Sequence, residues 1–389
     1  MKIESILAQI GSSVDKRTGA ISYPIYNSTA YRHPALGEST GYDYARTQNP
    51  TREVLENAIK ELEQGDAGFA CSTGMAAIQL VFSLLSQGDH LILSVDLYGG
   101  TYRVMEQVMT RFGITATYVD TNDVEALEKA RKKETKAIFI ETPTNPLMMI
   151  TDLEKVSTWA KGHQLLTIVD NTLLTPFFQR PIDYGADIVV HSATKYLGGH
   201  NDVLAGLIVT KGEKISEKIE FLQNTIGCVL SAQDAWLLMR GMKTLALRME
   251  RHEENAIRIA QYLQKHPLVT KVYYPHFETH PGYEIQKVQS SGNTGIFSFE
   301  VVSEHLIEPF LRHLTLIAFA ESLGGVETLL TYPTVQTHAD IPEDIRKQIG
   351  VSDTLLRISV GIEHADDLIA DLEQAFQKAE KEWKVSVEK

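Results

Sequence analysis

The 389-residue chain carries 37 Lys and Arg against 50 Asp and Glu, a formal net charge of −13, with 43% apolar residues and two cysteines. That apolar content excludes a disordered chain, two cysteines exclude a secreted disulfide scaffold, and the acidic balance lacks the basic footprint of a duplex nucleic-acid binder. A chain of this length is expected to split into two domains with a small arm. The opening MKIESILAQIGSS has no signal pattern, and nowhere do about 18 apolar residues run together, so no membrane span is expected. Cys71 and Cys228 are expected to be reduced thiols of a cytoplasmic protein.

Residues 1–48 read as an arm, rich in Tyr, Ser, Gly and Thr and without a sustained period. Such an arm is expected to pack on its own body or on another subunit. The first regular element is NPTREVLENAIKELEQG, with Asn49 as N-cap, Pro50 at the first helical position and Gly65 near the stop. Val54, Leu55, Ala58, Ile59 and Leu62 share one face. Strands are then predicted at 68–71, 90–95, 115–120, 136–141, 165–170, 187–192 and 205–210. They are continuous apolar runs, as in parallel strands covered on both sides. Helical stretches such as MAAIQLVFSLL and DLEKVSTWAKGH alternate with them, which predicts a doubly wound α/β domain over 49–245. A long helical pattern at 231–266, with a bend at Gly241, links this domain to a smaller α+β domain over 246–389. That domain closes with a helix at 365–383 whose apolar face is Leu368, Ile369, Leu372, Phe376, Ala379 and Trp383.

Ligands of doubly wound sheets sit at the carboxyl ends of the strands, and that rule decides which polar residues carry weight. Lys195, in HSATKYLGGHND, follows directly on an apolar run. Asp170 ends another. A buried acid needs a cation or donors, and pyridoxal phosphate supplies the cation: a carboxylate holds its ring nitrogen protonated while a lysine takes its aldehyde. Asp170 as a plain helix N-cap is the alternative. In CSTGMAAIQL a strand enters Ser-Thr-Gly and then a helix, so the N–H groups around Gly74 and Met75 can cradle a phosphate. Ser192 and Thr194 can add hydroxyls. Tyr98 stands past a strand end, where it can stack on a ring or merely cap the sheet. Asn145, in ETPTNP, can bond a ring hydroxyl or simply belong to an Asn-Pro turn. Arg357 lies inside the apolar LLRISVGIE, where a guanidinium needs an anion: a substrate carboxylate or an internal salt-bridge partner. His191, His200, His252, His276 and His280 are scattered without HExxH or CxxC, so no metal site is expected.

From about Ile21 to Ala375 the chain resembles the cystathionine γ-synthase/γ-lyase (Cys/Met metabolism) family of pyridoxal phosphate enzymes. The resemblance rests on YDYARTQNPTR, STGMAA, DLYGGTYR, ETPTNP, VDNT, HSATKYLGGH, AESLGGVET and LLRISVGIE, in family order. It implies an aspartate-aminotransferase-like fold (PLP fold type I), with a mainly parallel sheet in the large domain and a smaller α+β C-terminal domain. It also implies that Lys195 carries the cofactor and then moves protons, that Asp170 pairs with the ring nitrogen, and that Tyr98 stacks and, as a second catalytic residue, carries a proton for the thiol or the Cα step. Gly74, Met75, Ser192 and Thr194 would bind the phosphate, reached by Tyr44 and Arg46 of a neighbouring subunit in a homotetramer. Arg357, with the Ser322 backbone, would take the substrate carboxylate, and Asn145 would steady cofactor and substrate.

Among members, Glu321 resembles the γ-acting ones, and Gly100 stands where methionine γ-lyases typically have Cys. Arg103 matches an arginine near the substrate's ester in γ-synthases. Thr47 stands where some γ-synthases carry a second arginine, which points to an acetyl rather than a succinyl ester. The resemblance therefore implies γ-replacement on O-acetylhomoserine by cysteine. A cystathionine γ- or β-lyase, or a sulfhydrylase using sulfide, is the alternative. A non-catalytic cofactor-binding module would be expected to lose Lys195, Asp170 or Arg357.

Overall fold

The computed structural model describes residues 1–12, 14–337 and 343–387. Asn49 opens the helix Pro50–Glu63 as expected: its side chain accepts from the N–H groups of Thr51 (2.9 Å) and Arg52 (3.1 Å). Leu55, Ala58, Ile59 and Leu62 of that helix are buried. Before it the chain is a short helix, Ile3–Ala8, and an irregular arm closed by a bridge between Ala30 and Tyr44. The arm is anchored where Trp236 Nε1 donates to Tyr23 O (3.1 Å) and Tyr26 N to Thr51 Oγ1 (2.9 Å).

Seven strands form the large sheet: β1 (Ala67–Cys71), β2 (His90–Ser94), β3 (Thr115–Val119), β4 (Thr135–Glu141), β5 (Leu166–Asp170), β6 (Ile188–Ser192) and β7 (Gly206–Thr210). Their order is β1-β7-β6-β5-β4-β2-β3. Alternate residues feed two apolar clusters, Ile138, Ile140, Val169 and Val189 on one face, Phe139, Ile168, Val190 and Ile208 on the other. Burial of both faces explains the unbroken apolar runs. One strand departs from the parallel reading: β7 runs antiparallel to both β6 and β1. The connection from Ala193 to Ala205 contains no helix, and without a crossover the chain can only return the other way. The remaining six strands share a direction, so Cys71, Ser94, Glu141, Asp170 and Ser192 reach one edge together.

The helical link is two helices, Ala232–Met242 and Leu245–Lys265. The break falls after Gly241, at Lys243 and Thr244. Gly241 instead permits close approach: a Cβ there would stand 2.2 Å from Gly198 O. The second sheet, in the order β10-β11-β12-β9-β8, comprises β8 (Val269–Tyr273), β9 (Ile296–Val301), β10 (Ala318–Phe319), β11 (Leu329–Thr331) and β12 (Leu355–Ser359). Phe297, Phe299 and Ile358 pack there against Leu368, Leu372 and Phe376 of the closing helix Ala365–Val387. Losing a fully buried Phe such as Phe376 to Ala would cost about 3–5 kcal/mol. No described helix is long and apolar enough to cross a membrane. Among the described residues no group of three His, Cys, Asp or Glu is placed to hold a metal ion.

Candidate active site

The strand ends of the large sheet and the edge of the small one enclose a cleft of about 330 Å³. Gly74, Met75, Tyr98, Glu141, Asn145, Asp170, Ser192, Thr194, Lys195, Glu321, Ser322 and Arg357 all line it.

At one end lies the start of the helix Gly74–Phe82. Thr73 caps it, its hydroxyl accepting from Ala76 N at 2.9 Å. The N–H groups of Gly74 and Met75 lack intrahelical partners, as in any first turn. A Cβ on Gly74 would stand 2.8 Å from Ser192 Cβ and Oγ, so only glycine leaves that corner open. Thr194 Oγ1 is partly committed to Ala205, accepting from its N at 3.1 Å.

Asp170 is buried. Its Oδ1 accepts from Thr172 N (3.0 Å) and Thr172 Oγ1 (2.5 Å), and Thr172 Oγ1 accepts from Ser192 N (2.8 Å). Asp170 is not a helix N-cap, since the next helix, Thr175–Phe178, is entered through Leu174, and among the described residues Asp170 makes no ion pair. Burial pushes its acid up, and Thr172 and His191 only partly offset this. Lys195 Nζ lies 3.0 Å from Ser322 Oγ. Burial, then the charge of Arg357, bring the Lys195 amine down to about 8, against the pull of Glu321. Behind it Arg248 donates to Tyr196 O (2.6 Å) and Gly241 O (2.8 Å), tying the lysine loop to the inter-domain helix.

Arg357 is almost fully buried in β12. It has no carboxylate partner among the described residues, so the salt-bridge alternative fails. Nη1 donates to Asn145 Oδ1 (3.0 Å), Nη2 to Ser322 O (2.7 Å) and Thr331 Oγ1 (2.9 Å), and Nε has no partner. Burial brings the guanidinium down to about 10. Ser322 serves both cations and does so at φ +102°, a backbone strain of about 1–3 kcal/mol held by those contacts.

Three further residues lie outside this chain's own cleft wall: Tyr44 and Arg46, expected to serve a neighbouring subunit, and Arg103. Arg46 bonds the Asn224 carbonyl and lies over the Tyr44 ring (5.6 Å). Arg103 is exposed on the helix Gly99–Gln107 and is not in the cleft wall. His191, on β6, faces the helix Pro50–Glu63. Its Nε2 is paired with buried Glu63 Oε1 at 2.7 Å. Glu141 went unnoticed among the sequence motifs. It ends β4, is 6% exposed, and accepts from Tyr98 N at 2.8 Å. An acid closing a buried strand was the available signal, the same one that marked Asp170.

Residues 4–377 match the family described as Cys/Met metabolism PLP-dependent enzyme. The chain belongs to that family. It is 53% identical over 386 residues to a cystathionine gamma-synthase/O-acetylhomoserine (thiol)-lyase of Bacillus subtilis, covering 99% of both chains. It is 51% identical over 368 residues to a cystathionine beta-lyase of Lactococcus lactis, covering 95% of this chain and 97% of that one. The crystal structure of a cystathionine gamma-lyase from Lactobacillus plantarum, 50% identical, superposes with a TM-score of 0.96, covering 98% of this chain and 100% of that one. The family depends on pyridoxal phosphate, and this cleft fits it. It holds a half-buried amine with a lowered pKa, a buried acid without a cation, an open helix start where a Cβ would intrude, and an orphaned guanidinium nitrogen.

Proposed function

We propose that this member acts at the γ-carbon, replacing the ester of an activated homoserine, O-acetylhomoserine first, with the sulfur of L-cysteine to give cystathionine. Glu321 carries the reading. It is exposed, lines the cleft, and its charge reaches Lys195, while Arg357 is buried in the same cleft. The cleft therefore offers a cation for one amino acid's carboxylate and an anion for a second amino acid's ammonium group. Cysteine brings such a group, and cystathionine carries two. Thr47 follows Arg46, leaving no second arginine there for the extra carboxylate of a succinyl ester. Arg103, outside the cleft wall, lends no support to the ester assignment.

Pyridoxal phosphate, when bound, supplies an electron sink for charge developing on the substrate. The side chains of this chain do the rest. Lys195 would carry the cofactor, held by Ser322. With a pKa near 8 its freed amine is neutral often enough at physiological pH to accept the α-proton and return it. Arg357, oriented by Asn145, Ser322 and Thr331, would fix the substrate carboxylate through its open Nε edge. Asp170 would keep the ring nitrogen protonated, and Tyr98 would stack on the ring. Gly74, Met75, Ser192 and Thr194 would hold the phosphate, joined by Tyr44 and Arg46 of a neighbouring subunit in a homotetramer.

Cleavage of cystathionine is the second reading, favoured by relatives named gamma-lyase and beta-lyase at nearly equal identity. Parallel steady-state rates separate the two. The test compares O-acetylhomoserine and O-succinylhomoserine, each with cysteine or sulfide, and cystathionine alone. The expected result is fastest cystathionine formation from the acetyl ester. Faster release of 2-oxobutanoate or pyruvate from cystathionine would overturn it in favour of a γ- or β-lyase.

A further inference from the structure

Glu141 and Asp170 end neighbouring parallel strands and are paired in register, so their side chains leave the same face of the sheet. Both are nearly buried, at 6% and 8% exposure, and both line the cofactor cleft. Strand neighbours lie about 4.8 Å apart, and two carboxylates that close and that dry do not both ionise readily. A cofactor ring brings one positive charge to this edge, enough for one of them.

The other partners of Glu141 are backbone. Oε2 accepts from Tyr98 N at 2.8 Å, and the Asn145 backbone also hydrogen-bonds the carboxyl group. Its own N–H donates to Ser94 Oγ at 3.3 Å. This one side chain thereby ties the loop after β2, which carries Tyr98, to the loop after β4, which carries Asn145.

We propose that Glu141 is a positioning residue that remains a neutral carboxylic acid in the working enzyme, holding Tyr98 over the cofactor ring while Asp170 alone carries the negative charge. The inference rests on the pyridoxal phosphate reading of the cleft. The charged surroundings agree with it. Burial dominates and drives the Glu141 acid well up; Asp170 on β5 and Asp96 in the loop after β2 also disfavour its anion, and together these outweigh the backbone N–H groups of Tyr98 and Asn145, which favour it. Asp96 is itself raised to about 6 by burial, with Thr144 and Leu147 N as its partners. His191 on β6 favours ionised Asp170. Lys195 and Arg357, the cations of the cleft, bond Ser322, Asn145 and Thr331 instead of Glu141.

The test uses the pyridoxal-phosphate-loaded protein and its Glu141→Gln and Glu141→Ala variants. Infrared spectra near neutral pH should show a protonated-carboxyl C=O stretch in the wild type that is lost in Glu141→Gln. The amide copies a neutral acid. Glu141→Gln should therefore keep the pH midpoint of the visible cofactor band within a few tenths of a unit and cofactor affinity within about threefold. Glu141→Ala frees the Tyr98 loop and should weaken cofactor binding about tenfold or more, measured by titrating the cofactor-free protein. An ionised Glu141 predicts otherwise: Glu141→Gln would then move the midpoint by about one unit or more. That shift, the absence of the infrared band, or wild-type cofactor affinity in Glu141→Ala would overturn the proposal. Should Glu141→Ala not fold, the infrared band and the Glu141→Gln midpoint decide alone. A wild-type protein that never turns yellow with the cofactor would instead refute the underlying reading.

Discussion

Asn145 Oδ1 lies 3.0 Å from Arg357 Nη1, joining residues 212 apart in the chain, one in the loop after β4 of the large sheet and the other in β12 of the small one. The large domain thus orients the cation that the small domain supplies. Asn145→Ala removes a buried acceptor from a charged donor, about 1.5–3 kcal/mol. KM for amino-acid substrates should rise roughly 10- to 100-fold, with a smaller change in kcat, because the lost contact orients bound substrate. Steady-state kinetics check this, and an unchanged KM would separate Asn145 from carboxylate binding.

Gly74 offers a second test at the other end of the cleft. Its missing Cβ leaves a corner that Ser192 borders at 2.8 Å. Gly74→Ala should crowd that corner at about 1–3 kcal/mol, or roughly 5- to 100-fold in cofactor affinity. Titration of the cofactor-free variant with pyridoxal phosphate measures it. Affinity equal to wild type would move the phosphate elsewhere.

Much of this site was legible because one local signal marks it: a polar residue closing an apolar run at a parallel strand's carboxyl end. Lys195, Asp170 and Ser192 carry that signal within a few residues of sequence. Glu141 carries it too. What distinguishes Glu141 is its neighbours, Tyr98 at a separation of 43 residues and Asp170 one strand over, and no local pattern encodes either. The reversed β7 was hidden for a related reason, since an apolar run reads the same in both directions and only the helix-free connection before it fixes the sense. The three residues of β11 are too few to show a period. The buried Glu63–His191 pair joins positions 128 apart, so no local pattern around the histidine shows its partner.

The two cysteines, remote in sequence, meet in the fold. Cys71 ends β1, and Cys228 O accepts from Ser72 N at 2.9 Å. Cys71 is buried, and its thiol is pushed up by its hydrogen bond with Cys228 and by burial. Cys228 is half-buried, and the same hydrogen bond pulls its thiol down. Thiolate is the reactive form. A thiol reagent should therefore modify Cys228 in the native protein, with Cys71 reacting only after unfolding. Peptide mapping after brief alkylation checks the order. Cys71 reacting first would contradict the assigned burial.

Lys195 should show its surroundings in the pH dependence of cofactor attachment. A neutral amine is needed to attack the aldehyde, and burial with the Arg357 charge places the Lys195 pKa at about 8. The rate at which the visible band grows in cofactor-free protein should climb with pH through about 8 and level above it. The two charged neighbours act in opposite senses. Arg357 disfavours protonated Lys195, so Arg357→Met should move the midpoint up, toward the ordinary lysine value. Glu321 favours the protonated form, so Glu321→Gln should move it down. Nearby charges typically shift such a group by about one unit or more, well within the resolution of stopped-flow absorbance. Both variants shifting the same way would mean that altered packing at the amine, and not the two charges, controls its proton.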